Sequence, residues 1–312
     1  MDREININEV LNLFWQKKFL IITVSFVFAL ISAIYSLTMP NKYFSSVTLT
    51  VSEKSSGNSG LSSFGSQYGN LASLAGINLG SSSDGKLILA QKIINSRDFV
   101  KRLISFKNVL PNIIAAEGYD LENGLIKYHD DIFDSKKGVW TYEPRAGKKI
   151  PPSYLEAHKI YSEEILYVDY EEDDPDYLII GIQHVSPKFS KAFLEMIVKE
   201  LNKIKREKDL EEAEKALTFL EEQLKKTQNI ETVNSISQLI ESQLKIKMLA
   251  NVREDYLVTV IDEPFIPETK FSPRRSLITI IGSLIGFILS LFYVTVKKYV
   301  FFQEVQSEEL KK

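Results

Sequence analysis

Two stretches of the chain stay uncharged for as long as a bilayer is thick. Residues 19–41 run 23 positions without a charge, mostly apolar as far as residue 37, and residues 276–296 run another 21. A helix rising 1.5 Å per residue needs about 20 apolar residues to cross a hydrocarbon layer of ~30 Å, so the pattern predicts membrane spans over 19–38 and 276–296. Trp15, Lys17 and Lys18 before the first, and Arg274, Arg275, Lys297 and Lys298 around the second, supply interfacial anchors. A cleaved signal peptide fits the first poorly. Its lead of 18 residues has cancelling charges, and no small-x-small site follows.

Between the spans the period changes. Val47, Leu49 and Val51 alternate with Thr48 and Thr50, which predicts a half-buried strand over 45–52. Residues 52–85 hold 7 of the 14 glycines and read as loop, with LASLAG as a small apolar anchor. Asp84 and Ser96 are placed to cap helices over 86–95 and 97–105, and residues 106–160 read as short helices and strands. Two β-rich runs, 165–170 and 177–184, flank Asp173-Asp174-Pro175-Asp176 and predict a hairpin; 256–262 predicts a further strand.

After Ser186-Pro187, no Gly or Pro occurs from Lys188 to Glu263, 76 residues, which predicts a long helical arm over about 187–251. Leu210, Ala213, Leu217, Leu220 and Leu224 step by three and four as an apolar seam. A second pattern, 230–249, carries Val233, Ile236, Ile240 and Leu244, so the chain reverses around 227–234. The outbound helix projects roughly 60 Å. Residues 199–215 hold 12 charges in 17 positions, so most of this helix is wet, and so narrow a seam needs a partner helix, neighbouring copies, or both.

The fold class is therefore α+β: a membrane-anchored base domain with a coiled-coil-like arm, flanked by two transmembrane helices. It divides into a tail (1–18), a span (19–38), a large domain (39–275), a span (276–296) and a tail (297–312). Two spans put both tails on one side. Lys and Arg near the membrane are balanced between the two sides, so charge does not set the orientation.

Composition removes several chemistries. With no cysteine, there is neither disulfide nor thiolate metal site, and a net charge of −3 offers no field for nucleic acid. Gly80 to Leu87 has the G-x4-G-K spacing of a phosphate-binding loop, but Leu87 stands where a hydroxyl must reach the metal. His129, His158 and His184 lack metal-ligand spacing, there is no GxSxG, and the acidic run 169–176 lacks the glycine of a calcium loop. No catalytic, cofactor or metal residues are expected. Two other features are candidates for assembly or interaction. Pro264, Pro267 and Pro273 stiffen the approach to the second span, and Gly282 and Gly286 form GxxxG within it.

In order and topology the chain resembles the polysaccharide co-polymerases, the chain-length determinants of bacterial lipopolysaccharide O-antigen. INEVLNLFWQKKFLIITV is similar to the family's lead into its first span, and SQYGNLASLAGINLG with SRDFVKRLI to its membrane-proximal domain. QLKIKMLANVREDYLVTVIDEPFIPE resembles the return from its long helix, and Pro264, Pro267, Ser272, Pro273 and Gly282 match its motif before and within the second span. The resemblance implies a two-pass inner-membrane protein with cytoplasmic termini, a periplasmic base and arm, and ring-like homo-oligomers. It implies a non-enzymatic role in setting how far the O-antigen polymerase extends lipid-linked polysaccharide. One branch of the family carries a cytoplasmic kinase, for which a 16-residue tail has no room. The competing expectations are a periplasmic conduit for capsule or exopolysaccharide export and, as an enzyme, an ATPase using Gly80 to Leu87 or a glycan hydrolase.

Overall fold

The computed structural model describes residues 7–52, 83–141, 150–171 and 174–309. The Gly/Ser-rich tract with LASLAG, Gly80 and Asp173 lies outside them. The chain forms two compact units, residues 42–269 and the pair 1–41 with 270–312.

The larger unit is built on a four-stranded antiparallel sheet. It contains β1 (Tyr43–Val51), β6 (Leu166–Glu171), β7 (Asp174–His184) and β8 (Val258–Asp262), in the order β6-β7-β1-β8. Alternation along β1 buries Tyr43, Ser45, Val47, Leu49 and Val51, and the register sets Val47 against Ile180 and Leu49 against both Leu178 and Val260. The hairpin is tighter than the sequence suggests. Glu171 pairs with Asp174, so Asp174 and Pro175 belong to the strand.

Helices cover the face bearing Val47, Leu49, Leu178, Ile180 and Ile182. Helix α3 (Ser83–Ile94) contributes Leu87, Ala90 and Ile94, and α4 (Arg97–Leu103) contributes Phe99, Val100 and Leu103. Ser96 caps α4 by accepting from the Phe99 N–H, as its position predicts; Asp84 falls inside α3 rather than at its cap. Helix α5 (Val109–Ile114), two small hairpins, β2 (Ala116–Asp120) with β3 (Leu125–Tyr128) and β4 (Phe133–Asp134) with β5 (Val139–Trp140), and α6 (Tyr154–Ile160) follow among the described residues. A π-helical turn, Tyr161–Ile165, leads into β6 and buries Tyr161 against Phe193. Each fully buried Leu, Ile or Phe side chain of this core, such as Leu49, Ile180 and Phe193, contributes about 1.5–3 kcal/mol.

The arm is α7 (Pro187–Lys226) and α8 (Ile230–Val252), reversing over residues 227–229. Ser186 caps α7, Pro187 sits in its first turn, and Asn229 caps α8 through the N–H groups of Glu231 and Thr232. Forty residues make α7 about 60 Å long.

The smaller unit holds α1 (Ile7–Gln16), α2 (Lys18–Thr38) and α9 (Arg275–Glu309). Both candidate spans are helical, Lys18–Thr38 and Arg275–Lys298, and α9 continues to Glu309 without a break at the predicted boundary of the tail.

Candidate functional site: the arm root, the arm seam and the helical hairpin

The arm leaves the base through a polar junction that periodicity does not disclose. Phe193, Leu194, Ile197 and Leu201 on α7 pack into the core, and Asn202 follows them into it. Its Oδ1 accepts from the N–H groups of Leu257 (2.8 Å) and Val258 (3.0 Å), and its Nδ2 donates to the Val258 carbonyl (3.0 Å). One amide thus pairs three backbone groups at the start of β8. Two turns further, Asp209 accepts from the Tyr256 hydroxyl at 2.8 Å and pairs with Lys205. Outbound helix and returning strand are joined at their bases.

On another side of α7, Arg102 of α4 donates Nε to the buried Glu200 at 2.6 Å and Nη1 to Glu207 at 2.8 Å. The hydrogen bond donated to Glu207 leads the effects that raise Arg102 above its ordinary range, and the same bond holds the Glu207 carboxyl low. A third junction lies at the start of α7. Buried His184 accepts the Ser186 N–H at Nδ1 (3.1 Å), which fixes Nε2–H as the donor to the Asn112 carbonyl (2.9 Å). Tyr128 donates to Asn112 Oδ1, linking the β2–β3 hairpin to the same point. Burial lowers His184 to about 4, helped by the charge of Lys42. The only sequence hint of Asn202, Glu200 and His184 is a polar residue interrupting an apolar run.

Of the predicted seam, Ala213 and Leu217 are buried, and Leu210, Leu220 and Leu224 half-buried. The returning helix departs from expectation. Val233, Ile236 and Ile240 are followed inward by Gln243 and Ala250, while Leu244 is 51% exposed. The predicted set takes two consecutive steps of four, 236 to 240 to 244, and eight residues at 100° overshoot two turns by 80°; the step of three to Gln243 returns to the seam. Lys247 reaches across to Glu214 at 3.0 Å.

Pro264, Pro267 and Pro273 are buried, and Ser272 is half-buried. The Phe265 carbonyl between the first two prolines accepts from Ser45 Oγ at 2.6 Å, fastening that segment to β1. Gly282 and Gly286 face α2. A Cβ on Gly282 would lie 1.8 Å from Ser32 Oγ, and one on Gly286 would lie 2.6 Å from Phe28 Cβ and 3.1 Å from Ser25 Cα. Ser290 and Ser36 are also buried in this hairpin, so the glycines and serines share the contact with Phe28 and with the buried Ile21 and Val294.

Elsewhere the chemistry is sparse. Gly85, Lys86 and Leu87 lie within α3, with Leu87 fully buried in the core and Lys86 lowered by burial and by Lys205, so this stretch is helix rather than a phosphate-cradling loop. Among the described residues, no cluster of three or more His, Asp or Glu is placed to hold a metal ion.

Comparison with curated proteins finds no significant match. Among solved structures, the chain is similar to a "full-length bacterial polysaccharide co-polymerase", at 11% identity over 95% of this chain and 98% of that one, with a TM-score of 0.38. It is also similar to a "Fragment of WzzB, Polysaccharide Co-polymerase from Salmonella Typhimurium", at 12% identity over 74% of this chain and 100% of that one, with a TM-score of 0.31. The family model described as "Wzz: Chain length determinant protein" matches residues 3–106, the part that runs through α1, α2, β1, α3 and α4. The similarity to the chain length determinant family thus covers the first third of the chain.

Proposed function

We propose that the protein is a non-enzymatic polysaccharide co-polymerase. It sets the modal length of lipopolysaccharide O-antigen or a related surface glycan, by scaffolding or touching the membrane polymerase as a ring-like homo-oligomer. The family match over residues 3–106 carries this reading. The architecture supports it, because two helices long and apolar enough to span a bilayer bracket a domain with a 40-residue helix. In this reading residues 19–38 and 276–296 cross the inner membrane, both termini are cytoplasmic, and residues 39–275 are periplasmic. Pro264, Pro267, Ser272, Pro273, Gly282 and Gly286 set how the spans are held.

The arm supports the oligomer. Phe219 on α7 and Leu244, Met248 and Val252 on α8 are all more than half exposed, and the last three recur every four residues as one stripe. The Glu214–Lys247 pair sets the antiparallel register, which puts Phe219 within a turn of the height of Leu244. Copies standing side by side would cover these residues, as a heterologous, ring-closing contact requires.

The test is the electrophoretic ladder of surface glycan lengths with and without the protein. Loss of the modal cluster on deletion is expected, and an unchanged distribution overturns the reading; loss of all surface polymer would instead favour an export role. Topology has its own test, because the chain lacks cysteine. Asn229→Cys is expected to react with a membrane-impermeant maleimide from the periplasm, and Asn12→Cys is not.

A further inference from the structure

The close approach of Gly282 to Ser32 and of Gly286 to Phe28 and Ser25 fixes the register of α2 against α9. The helices run antiparallel, one residue forward on α9 for each residue back on α2. Carried eleven residues from the Phe28–Gly286 contact, that register brings Lys17 level with Lys297, with Lys18 and Lys298 in the same turn. Four lysines separated by some 280 positions in the sequence therefore form one collar at one end of the hairpin.

The two helices themselves bring the collar no nearby counter-charge. No Asp or Glu occurs from residue 10 to 52 or from 269 to 303, so neither helix offers a carboxylate within a turn of these ammonium groups. Aromatic rings lie beside two of the lysines. Lys18 Nζ lies 4.9 Å from the Trp15 ring centre and 5.7 Å from that of Phe19, and Lys297 Nζ lies 5.7 Å from that of Tyr293. Trp15 is itself 74% exposed. Tryptophan and tyrosine beside stem-extended lysines, at the end of an apolar helix, suit the headgroup depth of a bilayer. Four like charges at one level repel one another unless anions intervene, and lipid phosphates lie at that depth.

We propose that Lys17, Lys18, Lys297 and Lys298 form a binding site for the phosphate headgroups of anionic phospholipids, flanked by Trp15 and Tyr293. This rests on the reading that α2 and α9 cross a bilayer. Zwitterionic headgroups carry their own cation and compete poorly for the collar.

The test uses the full-length protein in detergent, titrated with phosphatidylglycerol or phosphatidylcholine and read by native mass spectrometry. Wild type is expected to retain phosphatidylglycerol at least tenfold over phosphatidylcholine. Each Lys→Gln change is expected to weaken that retention about fivefold, and the quadruple variant to approach parity. A Lys270→Gln, Arg274→Gln pair at the opposite end of the hairpin is expected to keep the preference, and millimolar inorganic phosphate is not expected to displace the lipid. Retained preference in the quadruple variant, equal loss in the opposite-end pair, or displacement by free phosphate each overturns the site. Flotation with pure phosphatidylcholine vesicles tests the spans separately: wild type and quadruple variant both float if α2 and α9 are embedded, and failure of wild type to float removes the bilayer reading itself.

Discussion

Asn202 and Val258 exchange a reciprocal pair of hydrogen bonds, side-chain amide to backbone, each 3.0 Å long. A third bond, from the Leu257 N–H, completes the set. The side chain thus does for β8 what another strand would do, and it does so from the outbound helix of the arm. Asn202→Leu keeps the branching of the side chain and leaves two N–H groups and a carbonyl without their amide partner. Because each unsatisfied group costs about 1–3 kcal/mol, a loss on the order of 3 kcal/mol is expected in chemical unfolding of the full chain. A change under 0.5 kcal/mol would show that the junction is not what holds the arm.

At Arg102 the two partners separate by burial. Glu200 is buried and Glu207 half-exposed. Arg102→Ala strands the Glu200 carboxylate, so a loss of about 3–5 kcal/mol is expected. Glu207→Gln touches a solvated pair and is expected to cost under about 1 kcal/mol. Equal losses would count against this asymmetry.

His184 makes stability depend on pH. Its folded value is about 4 against an ordinary 6.5, so the unfolded chain binds the proton first on acidification. The contribution is fully present above about 6.5 and is lost as pH falls through 4, amounting to about 3 kcal/mol. Denaturant midpoints at pH 7, 5.5 and 4 should fall for wild type and fall less for His184→Gln. Parallel curves would remove His184 as the cause.

The helical hairpin admits a compensation test. Gly282→Ala drives a methyl into Ser32, and Gly286→Leu drives a larger group into Phe28. Both are expected to lower the thermal stability of the full chain in detergent. Ser32→Gly should restore part of the Gly282→Ala loss, with a coupling on the order of 1 kcal/mol, and should do nothing for Gly286→Leu. Additive losses would mean that Gly282 and Ser32 are not in contact.

On the arm, Gln243 and Leu244 exchange the roles their polarity suggests. Gln243→Leu places an apolar side chain on the buried seam and is expected to raise helix stability by about 1 kcal/mol, whereas Leu244→Gln is expected to leave the monomer within about 0.5 kcal/mol. Circular dichroism melts of both variants distinguish this register from one with Leu244 inward. In the proposed oligomer, Leu244→Gln should loosen neighbouring arms and show as reduced crosslinking between copies.

Much of this architecture is local and therefore readable along the chain. Span length depends on uncharged run length, the strand of Val47, Leu49 and Val51 on alternation, and the long arm on 76 residues without Gly or Pro. Each is a property of neighbours in sequence acting against a uniform solvent. Tertiary structure decided what depends on partners far away along the chain. It brought β1 between β7 and β8, turned Asn202 and Glu200 inward, and exchanged Gln243 for Leu244 by a phase error too small to see over two turns. It also set GxxxG against Ser25, Phe28 and Ser32 of the same chain, and placed Lys17 level with Lys297. The physical reason is the same in each case. A polar group can be buried only where a specific partner meets it, and close helix approach occurs only where both surfaces are small, so neither is settled until the distant segments meet.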